Sequence, residues 1–269
     1  MTEKGKVRVV VVGANGRMGR EVVRTVVKDP GLQLVGAVDR SVEKEDVGVV
    51  LGLGETGVYF SDKLGETLLK SEADVIIDFT TPNVVRDNIY TSLEYGVRPV
   101  VGTTGIPQED LQAWDRILQD KGIGGLVAPN FAIGAILMMK FAAQAARYLP
   151  HVEIIEMHHD QKLDAPSGTA IKTAEMIVKE RQRMVQGHPD EEEKLAGARG
   201  ADFEGMKIHS VRLPGYVAHQ EVILGGIGQT LTIRHDSISR ESFMPGVAMA
   251  AKKVMEFTGL VYGLENLID

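Results

Sequence analysis

The valine-rich run Val7–Val12 passes without a spacer into glycines at positions 13, 16 and 19, and this junction constrains the fold more than any other part of the chain. A run this apolar suits a strand buried on both faces, which belongs to a parallel sheet covered by helices on both sides. Residues 17–28 then place Met18, Val22, Val23, Val26 and Val27 on one helical stripe. Between strand and helix, small residues let the backbone approach a ligand. The helix start adds unpaired N–H groups and the positive end of its dipole. The spacing is G-x-x-G-x-x-G instead of the strict G-x-G-x-x-G, with Asn15 in place of the middle glycine. Asn tolerates left-handed backbone better than most residues. The turn predicts a pyrophosphate site, with Arg17 inside it facing phosphate.

Asp39 follows a second apolar run at 34–38 and lies 20 residues beyond Gly19. An acid there accepts hydrogen bonds from an adenine ribose. The adjacent Arg40 is either a solvated surface charge or a planar fork for a 2′-phosphate. Asp followed by Arg points to both NADH and NADPH as cofactors.

Strand and helix signals alternate onward: strands at 75–77, 99–101 and 125–127, helices at 83–95 and 108–121. This rhythm predicts an α/β fold, a doubly wound parallel sheet with helices on both faces. Thr80, Gly102, Thr103, Thr104 and Asn130 fall at strand ends, on the edge where such sheets bind ligands, and together fit a nicotinamide-ribose site. Beyond Asn130 the pattern changes. Helices are expected at 133–148 and 169–183, strands at 152–157, 207–212, 218–224 and 230–234, and a closing helix at 242–257. Residues 187–205 are glycine-rich and acidic without apolar periodicity, as in a solvated excursion. The expected division is 1–130 plus 240–269 in one domain and 131–239 in a second, with a mixed sheet.

Composition narrows the function. The chain has 269 residues, 43% of them apolar, enough to bury a sizeable core. A formal charge of −7 without a long basic run argues against a nucleic-acid partner. The absence of cysteine removes disulfides, thiolate metal sites and a cysteine nucleophile. The polar start at 1–6 and the lack of any membrane-length apolar run fit a cytoplasmic protein with no membrane partner.

The richest chemistry lies in E-M-H-H-D-Q-K-L-D-A-P-S-G-T, residues 156–169. Strand alternation puts Glu156 and His158 on one face and Met157 and His159 on the other, so the two imidazoles diverge unless the backbone turns. Adjacent histidines on opposite faces chelate poorly, and no metal is expected. Pro166 forces a turn before the next helix, and Ser167 suits its N-cap. Gly168 and Thr169 then offer N–H groups and a hydroxyl to a carboxylate, with Lys162 as a nearby cation. A histidine beside them can donate a proton near neutral pH. The loop reads as a device that holds a small anion and protonates it.

These segments together resemble the dihydrodipicolinate reductase family over essentially the whole chain. The motifs are V-G-A-N-G-R-M-G-R at 12–20, D-F-T-T-P at 78–82, V-G-T-T-G at 101–105, A-P-N-F at 128–131 and E-M-H-H-D-Q-K-L-D-A-P-S-G-T-A at 156–170. The resemblance implies an N-terminal Rossmann-type domain and a C-terminal α/β domain that forms a homotetramer. It implies hydride delivery from NADH or NADPH to a cyclic unsaturated dicarboxylate, giving tetrahydrodipicolinate in diaminopimelate and lysine biosynthesis. By the same resemblance His158 is the proton donor with Lys162 its partner, and His159, Gly168 and Thr169 bind substrate. Gly13, Ala14, Asn15, Gly16, Arg17, Met18, Asp39, Arg40, Gly102, Thr103, Thr104, Ala128, Pro129, Asn130 and Phe131 match cofactor-binding positions. Asp39 departs from the glutamate of many members, which leaves the NADH/NADPH balance open. Two rivals stay open: another imine reductase or amino-acid dehydrogenase on the same fold, and a nicotinamide-sensing regulator. The latter needs a basic DNA-binding element that the sequence does not show.

Overall fold

The computed structural model describes residues 5–42 and 44–268; of the polar start at 1–6, the part through Lys4 lies outside the described residues. In chain order the elements are β1 (Val7–Val12), α1 (Arg17–Lys28), β2 (Leu32–Val38), α2 (Val47–Leu51), β3 (Phe60–Ser61), α3 (Leu64–Ser71), β4 (Val75–Asp78), α4 (Pro82–Glu94), β5 (Arg98–Val101), α5 (Gln108–Lys121) and β6 (Gly124–Val127). Then come α6 (Ile133–Ala146), β7 (His151–His158), α7 (Gly168–Glu180), β8 (Ala201–Phe203), β9 (Met206–Arg212), β10 (Ala218–Gly226) and β11 (Gln229–Ser237). A 3₁₀ turn at Arg240–Phe243, α8 (Met244–Lys253) and β12 (Gly259–Tyr262) finish the chain, with one more short turn after them. Two compact units result: Met1–Phe131 with Phe243–Asp269, and Ala132–Ser242.

The first unit is built on a parallel sheet of seven strands in the order β12-β6-β5-β4-β1-β2-β3. From β1 the chain proceeds to β2 and β3 on one side, then returns to β4, β5 and β6 on the other. That reversal between β1 and β4 opens a crevice at the carboxyl ends of the strands, where doubly wound sheets bind ligands. Val9, Val10 and Val11 are fully buried, as a central strand requires. Val12, Ile76, Ile89, Leu93, Trp114 and Leu118 share one core cluster on the α4 and α5 side. On the other side Val22, Val23 and Val26 of α1 are buried.

Four elements of this unit carried too little sequence signal to be anticipated: α2, β3, α3 and β12. β3 has two residues and α2 five, shorter than a periodicity needs to declare itself. β12 is an edge strand that pairs only with β6. The helix expected over 242–257 is shorter, because the chain leaves it after Lys253 and enters β12 through Gly259 at φ +88°.

The second unit has a mixed sheet, β11-β10-β7-β9-β8, in which only β7 and β9 run parallel. α6 and α7 pack on each other and on this sheet. Val152, Ile154 and Glu156 alternate along β7 as buried residues. The cross-strand partners of this row are Leu224, Val222 and Gln220 on β10, all buried as well. The acidic stretch is exposed from 187 to 198 and rejoins the sheet only at β8.

Candidate active site

The glycine turn is held in shape from inside. Gly13 sits at φ +76°, a conformation glycine adopts without steric cost. A Cβ on Gly19 would collide with the Gly13 carbonyl, so glycine there lets α1 lie against the turn. The N–H groups of Gly13 and Ala14 both donate to the Val38 carbonyl, at 2.8 and 3.1 Å. Asn15 N–H donates to Asp39 Oδ2 at 2.9 Å, and Gly16 N–H to the Gly13 carbonyl at 3.0 Å. These four donors are therefore consumed by the fold. The N–H groups of Arg17 and Met18, in the first turn of α1, find no acceptor among the described residues, as helix geometry demands. They are the donors that can meet a pyrophosphate.

Asp39 is half-buried and engaged by the protein itself. Ser41 donates to its Oδ1 from backbone (2.9 Å) and hydroxyl (2.6 Å), while Asn15 takes Oδ2. Burial works to raise its carboxyl, but the bonds from Ser41 and Asn15 outweigh this and hold it below the usual carboxylate range. Of about four lone-pair sites on a carboxylate, three are thus taken by the protein. Arg20 clamps the turn from the far side, donating to the Asn15 carbonyl at 2.9 Å and to its Oδ1 at 2.7 Å. Arg17 and Arg40 are exposed.

Along the same sheet edge, Asp78 ends β4 fully buried. It accepts from Thr80 N–H (2.9 Å), Thr80 hydroxyl (2.6 Å), Asn88 amide (2.8 Å) and Thr103 hydroxyl (3.2 Å). Burial pushes its carboxyl up, against those bonds. Asp78 thereby locks the loops after β4 and β5 together. Gly102 lies under the Phe79 ring, which any side chain there would strike. Thr104 is exposed, whereas Ala128 and Phe131 are core residues; Phe131 packs on Phe79 with ring centroids 5.6 Å apart. Ala128 and Phe131 are almost wholly buried, backbone included, and the Ala128 N–H is spent on the Val101 carbonyl at 2.9 Å, while Pro129 is exposed and Asn130 half-buried.

In the second unit, β7 ends at His158, which shares a face with Glu156 as alternation predicts. His158 Nδ1 lies 2.6 Å from Glu156 Oε2. Glu156 has no exposed side-chain surface. Arg212, at the end of β9, donates Nη1 to Glu156 Oε2 at 2.8 Å and Nη2 to Oε1 at 2.7 Å. The Ser167 N–H adds a bond to Oε1 at 3.1 Å. Burial works to raise the Glu156 carboxyl, but hydrogen bonds from His158, Arg212 and Ser210 prevail and bring it down to about 2.

One carboxylate thus ties the histidine to the start of α7. Ser167 caps that helix, its hydroxyl accepting from Ala170 N–H at 3.2 Å. The N–H groups of Gly168 and Thr169 have no acceptor among the described residues; Gly168 is exposed and Thr169 half-buried. His159 is exposed just past the strand, and its carbonyl accepts from Lys162 N–H at 3.2 Å, so the chain reverses there. Lys162 Nζ lies 2.7 Å from Asp164 Oδ1, and this bond holds the Asp164 carboxyl below its usual range. The Asp164 carbonyl accepts from Arg212 Nη2 at 2.7 Å.

Sequence reasoning missed Arg212, Asp164, Arg20 and the anchoring roles of Glu156 and Asp78. Two of these had a signal: Asp78 ends an otherwise apolar strand, and Glu156 shares the His158 face. Arg212 had none, because its partner is 56 residues away.

The chain matches the family model for the N-terminus of dihydrodipicolinate reductase over residues 7–131 and the model for its C-terminus over 134–268. It is 53% identical to the 4-hydroxy-tetrahydrodipicolinate reductase of Desulfitobacterium hafniense over 265 residues, covering 98% of this chain and 99% of that protein. Identity to the enzyme of the same name from Halalkalibacterium halodurans is 56% over 263 residues, 98% of this chain and 100% of the other. A dipicolinate-bound dihydrodipicolinate reductase from Paenisporosarcina sp. TG-14 superposes with a TM-score of 0.88 at 48% identity, covering 98% of this chain and 100% of that one. A parallel nucleotide-type sheet, a histidine–glutamate pair at a helix start and full-length similarity at this level agree: the chain belongs to the dihydrodipicolinate reductase family.

Proposed function

We propose that this protein is a 4-hydroxy-tetrahydrodipicolinate reductase, reducing its cyclic dicarboxylate substrate to tetrahydrodipicolinate with NADH or NADPH in diaminopimelate and lysine biosynthesis. The observation that carries this is the double use of Glu156: one oxygen takes His158, the other the N–H of the helix cap Ser167. A proton donor and a carboxylate-binding helix start are thereby held as one piece. The relative solved with dipicolinate, a planar ring dicarboxylate, supports the substrate class.

The unit Met1–Phe131 with Phe243–Asp269 is the dinucleotide domain, and Ala132–Ser242 is the substrate and oligomerisation domain. The residues present fit a dinucleotide: glycine at 13 and 19 lets the turn pack closely on Phe79 and on α1, and the N–H groups of Arg17 and Met18 are available. Asp39 takes the adenosine ribose and Arg40 a 2′-phosphate, while Gly102 to Thr104 and Ala128 to Phe131 border the nicotinamide end. The bound dinucleotide supplies hydride. The chain supplies orientation and a proton. The Gly168 and Thr169 N–H groups take one substrate carboxylate, with His159 beside them. Lys162, released from Asp164, takes the other as a point charge. His158 protonates the ring once hydride has made it electron-rich.

His158→Ala and Lys162→Ala are each expected to lower turnover about 100-fold or more, with NADH binding, read by nucleotide fluorescence, unchanged. Wild-type turnover in either variant removes that residue from the assignment. A substrate panel followed at nicotinamide absorbance, run with NADH and with NADPH, separates this reading from other imine reductases. The homotetramer is checked by sedimentation.

A further inference from the structure

We propose that Glu156 is a positioning residue that sets the tautomer of His158, keeping one ring proton on Nδ1 so that Nε2 is the nitrogen that gives up and regains the catalytic proton. The inference rests on the reading of His158 as proton donor and assigns a role to a residue outside that reading's catalytic set.

Three observations carry it. The Nδ1–Oε2 separation of 2.6 Å is that of a charge-assisted bond, and an ionised carboxylate only accepts, so the hydrogen belongs to Nδ1. Glu156 cannot turn away, because Arg212 grips both of its oxygens and Ser167 N–H holds one of them. The third is the balance of charge around the ring. Glu156 faces it from β7, while Arg212 from β9 is bound to that same carboxylate. Opposite His158, β10 places the uncharged Ala218, and the Ser167 N–H at the start of α7 is bound to the same carboxylate. In the loop, the Asp164 carboxylate is engaged by Lys162. Paired with Arg212, Glu156 is fixed in place and presents Oε2 to Nδ1, leaving Nε2 as the ring nitrogen not bonded to this carboxylate.

The step balances simply. The Nε2–H bond of the imidazolium breaks, its electron pair stays on Nε2, and the proton goes to the ring atom made electron-rich by hydride. The Nδ1–H bond to Glu156 persists throughout, and solvent returns a proton to Nε2.

Glu156→Gln tests this with a built-in reversal. Its amide oxygen is drawn to the Oε1 position, where Arg212 and Ser167 both donate. The amide NH₂ then faces His158 and donates to Nδ1. Nitrogen-15 histidine spectra of the full-length chain, with His158 assigned by its loss in His158→Asn, should show neutral His158 protonated at Nδ1 in the wild type and at Nε2 in Glu156→Gln. Turnover should fall about 100-fold with the KM for NADH within about twofold, and Glu156→Asp should recover about tenfold of the loss. A wild-type His158 protonated at Nε2 overturns the proposal even if the variants do not fold. So does folded Glu156→Gln with turnover within about threefold of wild type. Wild-type turnover in His158→Ala would instead remove the donor reading itself, so the two failures are distinguishable.

Discussion

Glu156 combines complete burial with four strong donors around it, and that combination has a consequence for stability. Its carboxyl is brought from 4.5 to about 2 in the folded chain, so the folded state binds fewer protons than the unfolded one in that window. The stabilisation is fully present above pH 4.5 and is lost as pH falls toward 2. It is on the order of 3 kcal/mol. Urea unfolding of wild type and Glu156→Gln at pH 7 and pH 3 should show the stability gap shrinking in acid by a large part of that amount. A gap independent of pH would sink the assignment. Asp78 has the opposite sign: burial raises its carboxyl, so its contribution is present at low pH and fades as pH rises through the folded value.

At the scale of elements, the two helix starts proposed as ligand sites are built differently. α1 opens on Gly16 with no side-chain cap, leaving N–H groups beyond a turn whose other donors are spent on Val38, Asp39 and Gly13. α7 opens on Ser167, whose hydroxyl satisfies Ala170 and whose own N–H is taken by Glu156. Ser167→Ala should cost about 1 kcal/mol of stability by loss of the cap. It should raise the KM for the dicarboxylate more than that for NADH, because the cap lies in the turn proposed to bind the substrate carboxylate. Equal effects on both KM values would count against α7 as the carboxylate site. Both helix starts were legible in the sequence, since a glycine turn after a valine strand and a Pro-Ser-Gly-Thr entry are local signals. The spending of the Gly13, Ala14 and Asn15 N–H groups in the turn was not, because Val38 and Asp39 are brought to the turn only by the pairing of β1 with β2.

At the scale of the molecule, the dinucleotide unit is completed by the last segment of the chain. β12 pairs with β6 in parallel, and its Leu260 N–H reaches Asp115 Oδ1 at 2.7 Å. Lys252 in α8 bonds Asp29 at 2.7 Å. Removing residues 259–269 uncovers the β6 edge and a strip of core. The shortened chain should unfold at lower urea and associate nonspecifically, read by denaturation and size-exclusion chromatography. A truncated chain with the wild-type midpoint would show β12 to be dispensable. Among the described residues no helix is long and apolar enough to cross a membrane.

What the sequence by itself determined is whatever depends on neighbours along the chain. The valine run, the glycine turn and the stripe on α1 specified a parallel sheet with a helix start at its edge. The alternation of β7 placed Glu156 and His158 together, and Ser167 announced the cap. Tertiary structure decided what depends on residues far apart in sequence. Arg212 meets Glu156 only because β9 lies parallel to β7, and Asp78 joins Thr80 to Thr103 only because β4 and β5 are adjacent. Strand pairing is a long-range choice made by burial, and no local pattern encodes which charge will arrive across the ladder. The motif around His158 could therefore be read directly, while the carboxylate–guanidinium anchor that fixes its orientation emerged only from the folded chain.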